Sequence, residues 1–593
     1  MSNKPGRFAH FWKELRRRNV LRSLAIYAGT AFIILEASTI IFPRWGFPDW
    51  SIDLVLWLLI LGAIINVFVA WVFDFTSQGI QKTKPNEEQA EIELRSASKA
   101  WKVATYISLV VIVGLVALNI IGGPKGLRAG DIQSMVILPF DNFTGDDQLE
   151  YFVEGMHASL IGDMGKLSGL QVKSRTSSNA FKDMDMTIPE IASELGVDAA
   201  LETAVMCLGD TICVQFRLVS TTGDEEQLWV GDYKEEKSLI LNLYTRITKQ
   251  IADEVLIELT SDEEQLLAKS RTVDPDAYDA YLKAQYHWNQ FTPQDVQLAW
   301  DYYQRAIDLD PDWADPYAGM AMTWLFVGYF GMVPQDMATP KINFYLDDAL
   351  KLDPNSAYAH YVKAVHTVWA EWDWEKGEKE FLRSLELNPN NALCRMYYAH
   401  FLIGQRRHDE AIFQADLGLE LDPVEPVALG LYGVVMTDVG DYTSAIEQFE
   451  KAVSINPEFG FVKVNLLGAY RWTGRYEDWI GLWKQVTCWD EEHKMAVENA
   501  LHEEGYVAAV NTLLNINEEF GRPGCRMAED TKVMWLVEAG DFDQAYAIME
   551  KMDEQGNLDV AYLASNMHGY EHFISYPGYV EILKKFKLPY PKE

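Results

Sequence analysis

Cysteine is scarce in this sequence, with five residues among 593. So few cysteines cannot staple a chain of this length, and none has the spacing of a zinc or other metal site. The sequence also lacks a phosphate loop, a zinc motif, a nucleotide-binding fingerprint and a legible nucleophile constellation. These absences predict a protein that is not an enzyme and that holds neither a cofactor nor a metal.

Basic residues are few and unevenly placed. The chain has 51 lysines and arginines against 87 acids, a formal net charge of −36. Seven of the bases and one of the acids lie in residues 1–22, so the remainder carries 44 bases against 86 acids, or −42. A body this acidic repels phosphate backbones, so nucleic acid is not an expected partner.

Long apolar runs are confined to the first 130 residues. Three of them, 24–42, 52–73 and 103–122, each approach the ~20 residues that a membrane-spanning helix requires. The Arg-rich start predicts a cytoplasmic N terminus, and three crossings then place everything after about residue 123 outside the cytoplasm. The expectation is a bacterial inner-membrane protein that contacts the bilayer through residues 1–130, with the role of Glu36 in the first run left open.

The same stretch reads FWKELRRRNVLRSLAIYAGTAF, FPRWGFPDW and FVAWVFDFTSQGI. It resembles a membrane module that opens many bacterial repeat proteins, in which a TolB-like domain and tetratricopeptide repeats follow. Relatives in this group often carry an adenylate cyclase or a winged-helix domain before the first span. Only about 22 residues precede the first run here, so neither domain and neither activity is expected.

Residues 131–260 show strands and helices in alternation, which predicts one α/β domain with a mixed sheet. The segments ILPFDNFTGDDQLEYFVEGM, SRTSSNAFK, IPEIASELGVDAALE and LWVGDY match the TolB amino-terminal-like family in order and spacing. The resemblance implies an extracytoplasmic α/β domain without known catalysis. Thr203 and Ala204 depart from the Gly-Ser that is usual in the family, so whether this domain binds a ligand is left open.

Cys207 and Cys213 lie symmetrically on either side of Asp210. A three-residue hairpin loop, Gly209–Thr211, sets the two cysteines opposite each other, where cross-strand Cβ atoms are ~4.5–5.5 Å apart and close to disulfide distance. A two-residue turn instead shifts the register and places them on opposite faces. The sequence leaves both arrangements open, and a disulfide is chemically allowed outside the cytoplasm.

A proline recurs through residues 271–593. Pro354, Pro389, Pro423 and Pro457 are separated by 35, 34 and 34 residues, with small and aromatic residues before them. Small residues let two helices approach closely and proline ends the second helix, so this period resembles the tetratricopeptide repeat (TPR). We predict six to seven stacked helical pairs, closed by a C-terminal cap that contains YPGYVEILKKFKLP.

These patterns together predict a multi-domain membrane protein. Its fold would combine three N-terminal transmembrane helices, a TolB-like α/β domain and an all-α TPR superhelix. The expected domain limits are 1–130, 131–260 and 271–593.

The first helix of each TPR pair lines the concave side of the superhelix. Counting from the prolines places eight residues on this inner wall: His366, Trp369, Met396, His400, Asp438, Phe461, Arg471 and Trp472. Aromatic residues and methionine in a groove with a polar rim suit an extended peptide or a helix of another protein. The alternative is that these tryptophans and methionines fill the seam between helices. Two histidines one repeat apart, without a third ligand in view, favour solvated side chains over a metal site.

Two functions follow from this organisation. The favoured one is a membrane-anchored, extracytoplasmic TPR scaffold or adaptor that binds other proteins and acts in the assembly or stabilisation of an envelope complex. The alternative is a transmembrane signalling or sensor component that couples a periplasmic ligand to a cytoplasmic partner. The identity of the partner is open, and so is the oligomeric state.

Overall fold

The computed structural model of the chain describes residues 132–589 in most of their length and only short stretches before them. Within 132–589 it leaves out 183, 222–226, 269–270, 290–291, 330–331, 522–526, 528 and most of 556–576. Before residue 132 it describes 27, 30–31, 34–35, 38, 55–60, 62–63, 73–76 and 79–82. The chain divides into two compact units, Met1–Gly123 and Pro124–Glu593.

Among the described residues, no helix is long and apolar enough to cross a bilayer. The prediction of three transmembrane helices is corrected by this finding, and the inner-membrane location and the bilayer contact that rested on it are corrected as well. The second predicted span, 52–73, runs into an antiparallel pair, β1 (Phe73–Thr76) with β2 (Gly79–Lys82). Apolar composition did not identify a continuous helix there. The third predicted span, Glu36 and most of the first span lie outside the described residues.

An α/β region in the second unit contains a six-stranded sheet. Its strands are β3 (Ser134–Ile137), β4 (Asp141–Asn142), β5 (Gln171–Val172), β6 (Ala199–Leu208), β7 (Thr211–Ser220) and β8 (Gln227–Glu236). The order across the sheet is β5-β3-β6-β7-β8, and β4 pairs with β6. β3 runs parallel to β5 and β6, whereas β6, β7 and β8 are antiparallel. The mixed sheet that the sequence predicts is therefore present.

Helices cover both faces of this sheet, because alternate residues of a strand point to opposite sides. They are α1 (Glu150–Met164), α2 (Arg175–Asn179), α3 (Ile188–Leu195) and α4 (Ile240–Glu254). On one face Met135 and Leu201 share a core with α1 and α4. On the other face Val136 and Ala200 pack with Leu195 of α3.

The hairpin between β6 and β7 places Cys207 opposite Cys213. Leu208 pairs with Ile212, so Gly209–Thr211 form a loop of three residues between paired positions. The two sulfurs are bonded, and the Cα atoms of the cysteines are 4.9 Å apart. Of the two registers that the sequence leaves open, the structure has the one in which the cysteines face each other.

Eight helical pairs occur in the part of residues 261–589 that the structure describes, after a short helix α5 (Ser261–Ala268). The pairs are α6/α7 (Pro275–Trp288, Pro293–Leu309), α8/α9 (Ala314–Tyr329, Gln335–Leu352), α10/α11 (Ala357–Trp369, Trp374–Leu387), α12/α13 (Ala392–Gly404, His408–Leu421), α14/α15 (Pro426–Asp438, Tyr442–Ile455), α16/α17 (Gly460–Trp472, Tyr476–Val486), α18/α19 (Glu491–Glu504, Tyr506–Phe520) and α20/α21 (Glu529–Ala539, Phe542–Glu554). A last helix, α22 (Pro577–Lys585), follows. The described chain is thus mostly helical, a TPR-like superhelix with an α/β region. The predicted domain limits stay predictions.

Local sequence explains where these helices begin and how each pair turns. Asp373, Asp441 and Asp541 each accept a hydrogen bond from a backbone N–H three residues later. These bonds satisfy donors that the first turn of a helix leaves unpaired. The turn inside a pair needs one residue at positive φ, which Gly440 and Gly474 supply at 85° and 71°.

The α/β region packs against the repeats at two places. Tyr278 of α6 belongs to the same core as Phe152 of α1, and their rings meet edge to face. Further along the array, the backbone N–H of Ser174 donates a hydrogen bond to the carbonyl of Leu421, at 3.0 Å. The repeats and the sheet therefore form one continuous packing unit.

Candidate protein-binding groove

The inner helices of repeats three and four carry a buried cluster of aromatic and histidine side chains. His366 and Trp369 lie one turn apart on α10, and the ring of His400 on α12 packs on Trp369 with 4.8 Å between centroids. All three side chains are at most 5% exposed. The two histidines are 34 residues apart, so stacking of neighbouring repeats brings equivalent positions together.

His366 is a buried polar group that the described chain leaves unsatisfied. Neither ring nitrogen has a hydrogen-bond partner among the described residues, and a carboxylate oxygen of Glu371 lies 3.8 Å from Nε2. Burial lowers the pKa of His366, and the charge of Glu371 opposes this shift. The ring is therefore neutral at neutral pH. In the part of the chain that the structure describes, no group of three or more His, Cys, Asp or Glu residues could hold a metal ion.

Met396 and Phe461 lie in seams between helices, but to different depths. Met396 is fully buried, and a Cβ added at Gly418 of α13 would approach its Cε to 2.9 Å. Phe461 is half-buried beside Gly430 of α14, where an added Cβ would lie 3.2 Å from its ring. Phe461 therefore keeps part of its ring at the surface, whereas Met396 does not.

Asp438 ends α14 and interacts with two bases in the turn between α12 and α13. Its carboxylate lies 3.1 Å from Nε2 of His408. Burial raises the pKa of Asp438 to about 6, and the charges of Arg406 and His408 oppose the rise. This carboxyl therefore changes its charge in the mildly acidic range.

Arg471 and Trp472, at the end of α16, connect the sixth repeat to its neighbours. Nε of Arg471 lies 3.0 Å from a carboxylate oxygen of Glu538 on α20. The guanidinium also lies 3.7 Å from the centroid of the Trp472 ring, which in turn stacks on Tyr442 at 6.0 Å. An ion pair and a cation–π contact thus hold Arg471 in place, while Trp472 stays half-buried.

The eight predicted groove residues fall into two classes by exposure. The buried ones are His366, Trp369, Met396 and His400, and the partly exposed ones are Asp438, Phe461, Arg471 and Trp472. Their binding of a partner stays a prediction. Within it, direct contact falls to the partly exposed class, and the buried class shapes the wall behind it.

Three residues that the counting did not select lie at the turns inside repeats three and four. Trp372 and Arg406 occupy the position that is Gly440 and Gly474 in the next two repeats, at 34-residue intervals. Their φ angles are 54° and 60°, in the left-handed region that disfavours residues other than glycine. Together with Trp374 they form what we call the turn-edge site. A large residue at a position where its neighbours have glycine is the signal that reveals this site.

The turn-edge site contacts the end of the chain. Nε1 of Trp374 donates a hydrogen bond to the carbonyl of Phe586, 212 residues later, at 2.6 Å. The ring of Phe586 also lies 6.1 Å from that of Trp372. Burial raises the pKa of Tyr579 on α22, and the charge of Arg406 opposes that rise. The C-terminal helix therefore packs against the turns of repeats three and four.

Comparison with known proteins supports the repeat assignment and shows partial relatives. A tetratricopeptide-repeat profile matches residues 428–459. The protein named "Putative adenylate cyclase 3" of Rhizobium meliloti is 29% identical over 239 residues, 40% of each chain. The transcriptional regulator HilA of Salmonella typhimurium is 24% identical over 315 residues, 50% of this chain and 52% of that protein. The chain spans about half the length or less of the curated relatives it matches.

Solved structures with similar helical stacking include two TPR-like chains. The human IFIT1 dimer with m7Gppp-AAAA has a TM-score of 0.36 and 15% identity, over 58% of this chain and 77% of that one. PilF of Pseudomonas aeruginosa has a TM-score of 0.28 and 21% identity, over 35% and 94%. Likeness at this level carries no argument about activity or ligand. The profile match and the stacked helical pairs identify the helical part of this chain as a tetratricopeptide-repeat array.

Proposed function

We propose that this chain is a TPR scaffold or adaptor that binds other proteins through the inner wall of its repeats. The observation that carries the proposal is the partly exposed group Phe461, Arg471 and Trp472, where aromatic surface lies beside a fixed guanidinium. Aromatic and arginine side chains supply most of the binding energy at protein interfaces. A groove of stacked helices with such anchors suits an extended peptide or a helix.

The charge of the chain indicates which partners associate fastest. A net charge of −36 creates a negative potential over the repeats. Partners with a basic surface are steered toward such a body, and acidic partners are repelled. The proposed partner is therefore a protein with basic residues around an apolar or aromatic anchor.

The test is crosslinking in native cells, followed by affinity capture and mass spectrometry. The chain carrying Phe461→Ala and Trp472→Ala should lose the crosslinked partner that the unchanged chain captures. The matched control is Phe413→Ala together with Phe344→Ala, two rings on the second helices of their pairs that are 60% and 56% exposed. Equal capture by both variants would contradict binding through the inner wall.

The identity of the captured protein tests the finer part of the proposal, a role in the assembly of an envelope complex. That role rests on the resemblance to bacterial membrane-associated repeat proteins. Capture of an envelope-assembly component supports it, and capture of unrelated proteins alone contradicts it. The absence of catalysis also stays a prediction, which hydrolysis of nucleotides or sugars by the purified protein would contradict.

A second candidate function is coupling between a ligand of the α/β region and the repeats. One observation favours it: Asp422, in the turn after repeat four, accepts a hydrogen bond from Ser177 of α2 at 2.7 Å. A shift of α2 would move the turn directly. In this case Ser177→Ala should change partner capture while leaving Phe461 and Trp472 untouched.

A further inference from the structure

The C-terminal segment, residues 577–588, has the pattern of a helix that docks in a groove. Tyr579, Ile582, Leu583 and Phe586 are spaced i, i+3, i+4 and i+7, so they share one face of α22. The first three are at most 5% exposed, and Phe586 is partly buried against the same core. The segment thus uses a set of anchors that is typical of recognition between separate proteins.

The receiving turns are strained where they meet this segment. Trp372 and Arg406 hold left-handed backbone conformations that the next two repeats assign to glycine. A residue other than glycine at such a position raises the energy of the turn. Trp372 contacts Phe586 and Arg406 acts on Tyr579, so both strained residues contact or act on the segment. The inference runs from the backbone outliers to a binding role.

The opposite side of the segment rests on the last helical pair. A Cβ added at Gly578 would lie 2.2 Å from the ring of Tyr546 on α21, so glycine permits the close approach. Nζ of Lys585 lies 2.5 Å from each carboxylate oxygen of Asp553. The segment is therefore held between the last pair and the turns of repeats three and four.

Charge favours the same arrangement. Residues 577–588 contain three lysines and one glutamate, in a chain whose net charge is −36. Besides the contact with Asp553, the charge of Lys587 acts on Glu375 at the start of α11. A basic helix is thus seated on an acidic body, which is the complementarity expected of a binding site and its ligand.

We propose that the turn-edge site is a receptor for a short basic amphipathic helix, occupied in the resting protein by the chain's own residues 577–588 and exchanged for a helix of the same chemistry on a partner protein. This inference rests on the proposed scaffold function and specifies its partner class. The incoming helix carries an aromatic residue, two aliphatic residues and a second aromatic at i, i+3, i+4 and i+7, with lysines on its outer side.

Tethering explains why the site would be closed at rest. A ligand on the same chain has a high effective concentration, so it excludes a free peptide of equal intrinsic affinity. A partner helix must therefore bind more tightly or be presented several times. Loss of one anchor from the segment should open the site without altering its walls.

The test uses the full chain and a fluorescein-labelled peptide of residues 577–589, followed by fluorescence anisotropy. The unchanged chain should bind the peptide weakly. The chain with Tyr579→Ala and Phe586→Ala should bind it about tenfold more tightly or better, because its own segment has lost two anchors. Adding Trp372→Gly to that chain should reverse the gain, since glycine keeps the turn conformation and removes only the indole.

Controls separate binding from folding. A peptide with alanine at both aromatic positions should not bind the opened chain, and Phe413→Ala on the outer helix surface should not reduce binding. Hydrogen exchange of the otherwise unchanged chain with Trp372→Gly should show faster exchange at residues 577–588 and unchanged exchange in α14 and α15. Equal peptide affinity in the closed and opened chains, or protection that Trp372→Gly does not alter, overturns the proposal.

Light scattering and partner capture complete the assignment. If the opened chain and the peptide form a one-to-one complex of monomers, an external helix is the occupant. A dimer of the unchanged chain that the peptide dissociates would assign the site to a second copy and overturn the external occupant. Failure of peptide exchange with capture through Phe461 and Trp472 intact removes only this inference, whereas loss of that capture removes the scaffold function.

Discussion

Asn390, in the turn after repeat three, is hydrogen-bonded to Val172 of strand β5: its Oδ1 accepts the backbone N–H of Val172 at 3.0 Å. Its Nδ2 lies 3.1, 3.0 and 2.9 Å from the carbonyls of Gly165, Leu167 and Leu170. One side-chain amide therefore serves four backbone groups of the α/β region. This residue links the sheet to the repeat array.

Replacing Asn390 should loosen this link. Asn390→Ala leaves buried backbone groups without their partner and should lower the free energy of unfolding by about 1–3 kcal/mol. Asn390→Asp should cost more, because it places a carboxylate against three carbonyl oxygens. Urea unfolding measures both. Glu458→Ala, at the exposed equivalent position after Pro457, is the control and should stay within about 0.5 kcal/mol; equal effects at both positions would refute the linking role.

Asp422 should make stability depend on pH. Burial raises the pKa of Asp422 to about 6, with hydrogen bonds from Ser174 and Ser177 opposing the rise. The folded chain therefore binds this proton more tightly than the unfolded chain, where the pKa of aspartate is near 3.8. The resulting stabilisation is complete below about pH 4 and is lost as the pH rises through about 6.

The measurement compares the unchanged chain with Asp422→Asn by urea unfolding at several pH values. Between pH 4 and pH 7 the unchanged chain should lose about 2–3 kcal/mol relative to the variant, since each pKa unit corresponds to about 1.4 kcal/mol. Ser177→Ala should move the loss to higher pH by removing an opposing bond. Parallel curves for the unchanged chain and Asp422→Asn would show that this carboxyl is not the source.

The ion pair between Arg471 and Glu538 should matter more than exposed pairs do. Their side chains are 12% and 7% exposed, so Glu538→Ala leaves a nearly buried charge without its partner and should cost about 3 kcal/mol or more. Arg471→Met combined with Glu538→Leu should recover most of that loss. Asp478→Ala breaks the exposed pair with Arg475 and should cost less than about 1 kcal/mol. A double-mutant cycle decides whether the two residues are coupled.

Two glycines inside helices should respond to alanine in opposite directions. A Cβ at Gly433 of α14 would lie 2.4 Å from the ring of Phe449, whereas one at Gly468 of α16 would meet nothing within 4 Å. Gly433→Ala should destabilise by about 1–3 kcal/mol through overpacking. Gly468→Ala should be neutral or stabilise by up to about 1 kcal/mol. Thermal unfolding separates them, and a stable Gly433→Ala would show that α14 and α15 can move apart.

Helix periodicity is what made the repeats readable from sequence. The predicted repeats at 355–389, 390–423 and 424–457 each contain one of the pairs from α10 to α15. The pair α18/α19 was missed because no proline marks its end, and its turn depends on Gly505 at a φ of 93°. Helix α5 was predicted as linker because its eight residues are too short for a clear apolar period.

Packing between distant residues explains what the sequence did not reveal about the groove. Trp369 and His400 were selected by position, but stacking on each other buries them. The contact between Trp374 and Phe586 joins residues 212 apart, and no local pattern predicts such a pairing. Ser174 was predicted at a polar strand end; it instead caps the short helix α2 by accepting the N–H of Ser177.

A solenoid normally has a loose end, because its final unit has a neighbour on one side only. The hydrogen bond from Trp374 to Phe586 returns the end of this stack to its third member. Fraying of α20 and α21 must therefore break contacts far back in the array as well as those beside them. Force applied at the C terminus in a single-molecule pulling experiment would reach repeat three early, before the intervening helices had unravelled in sequence.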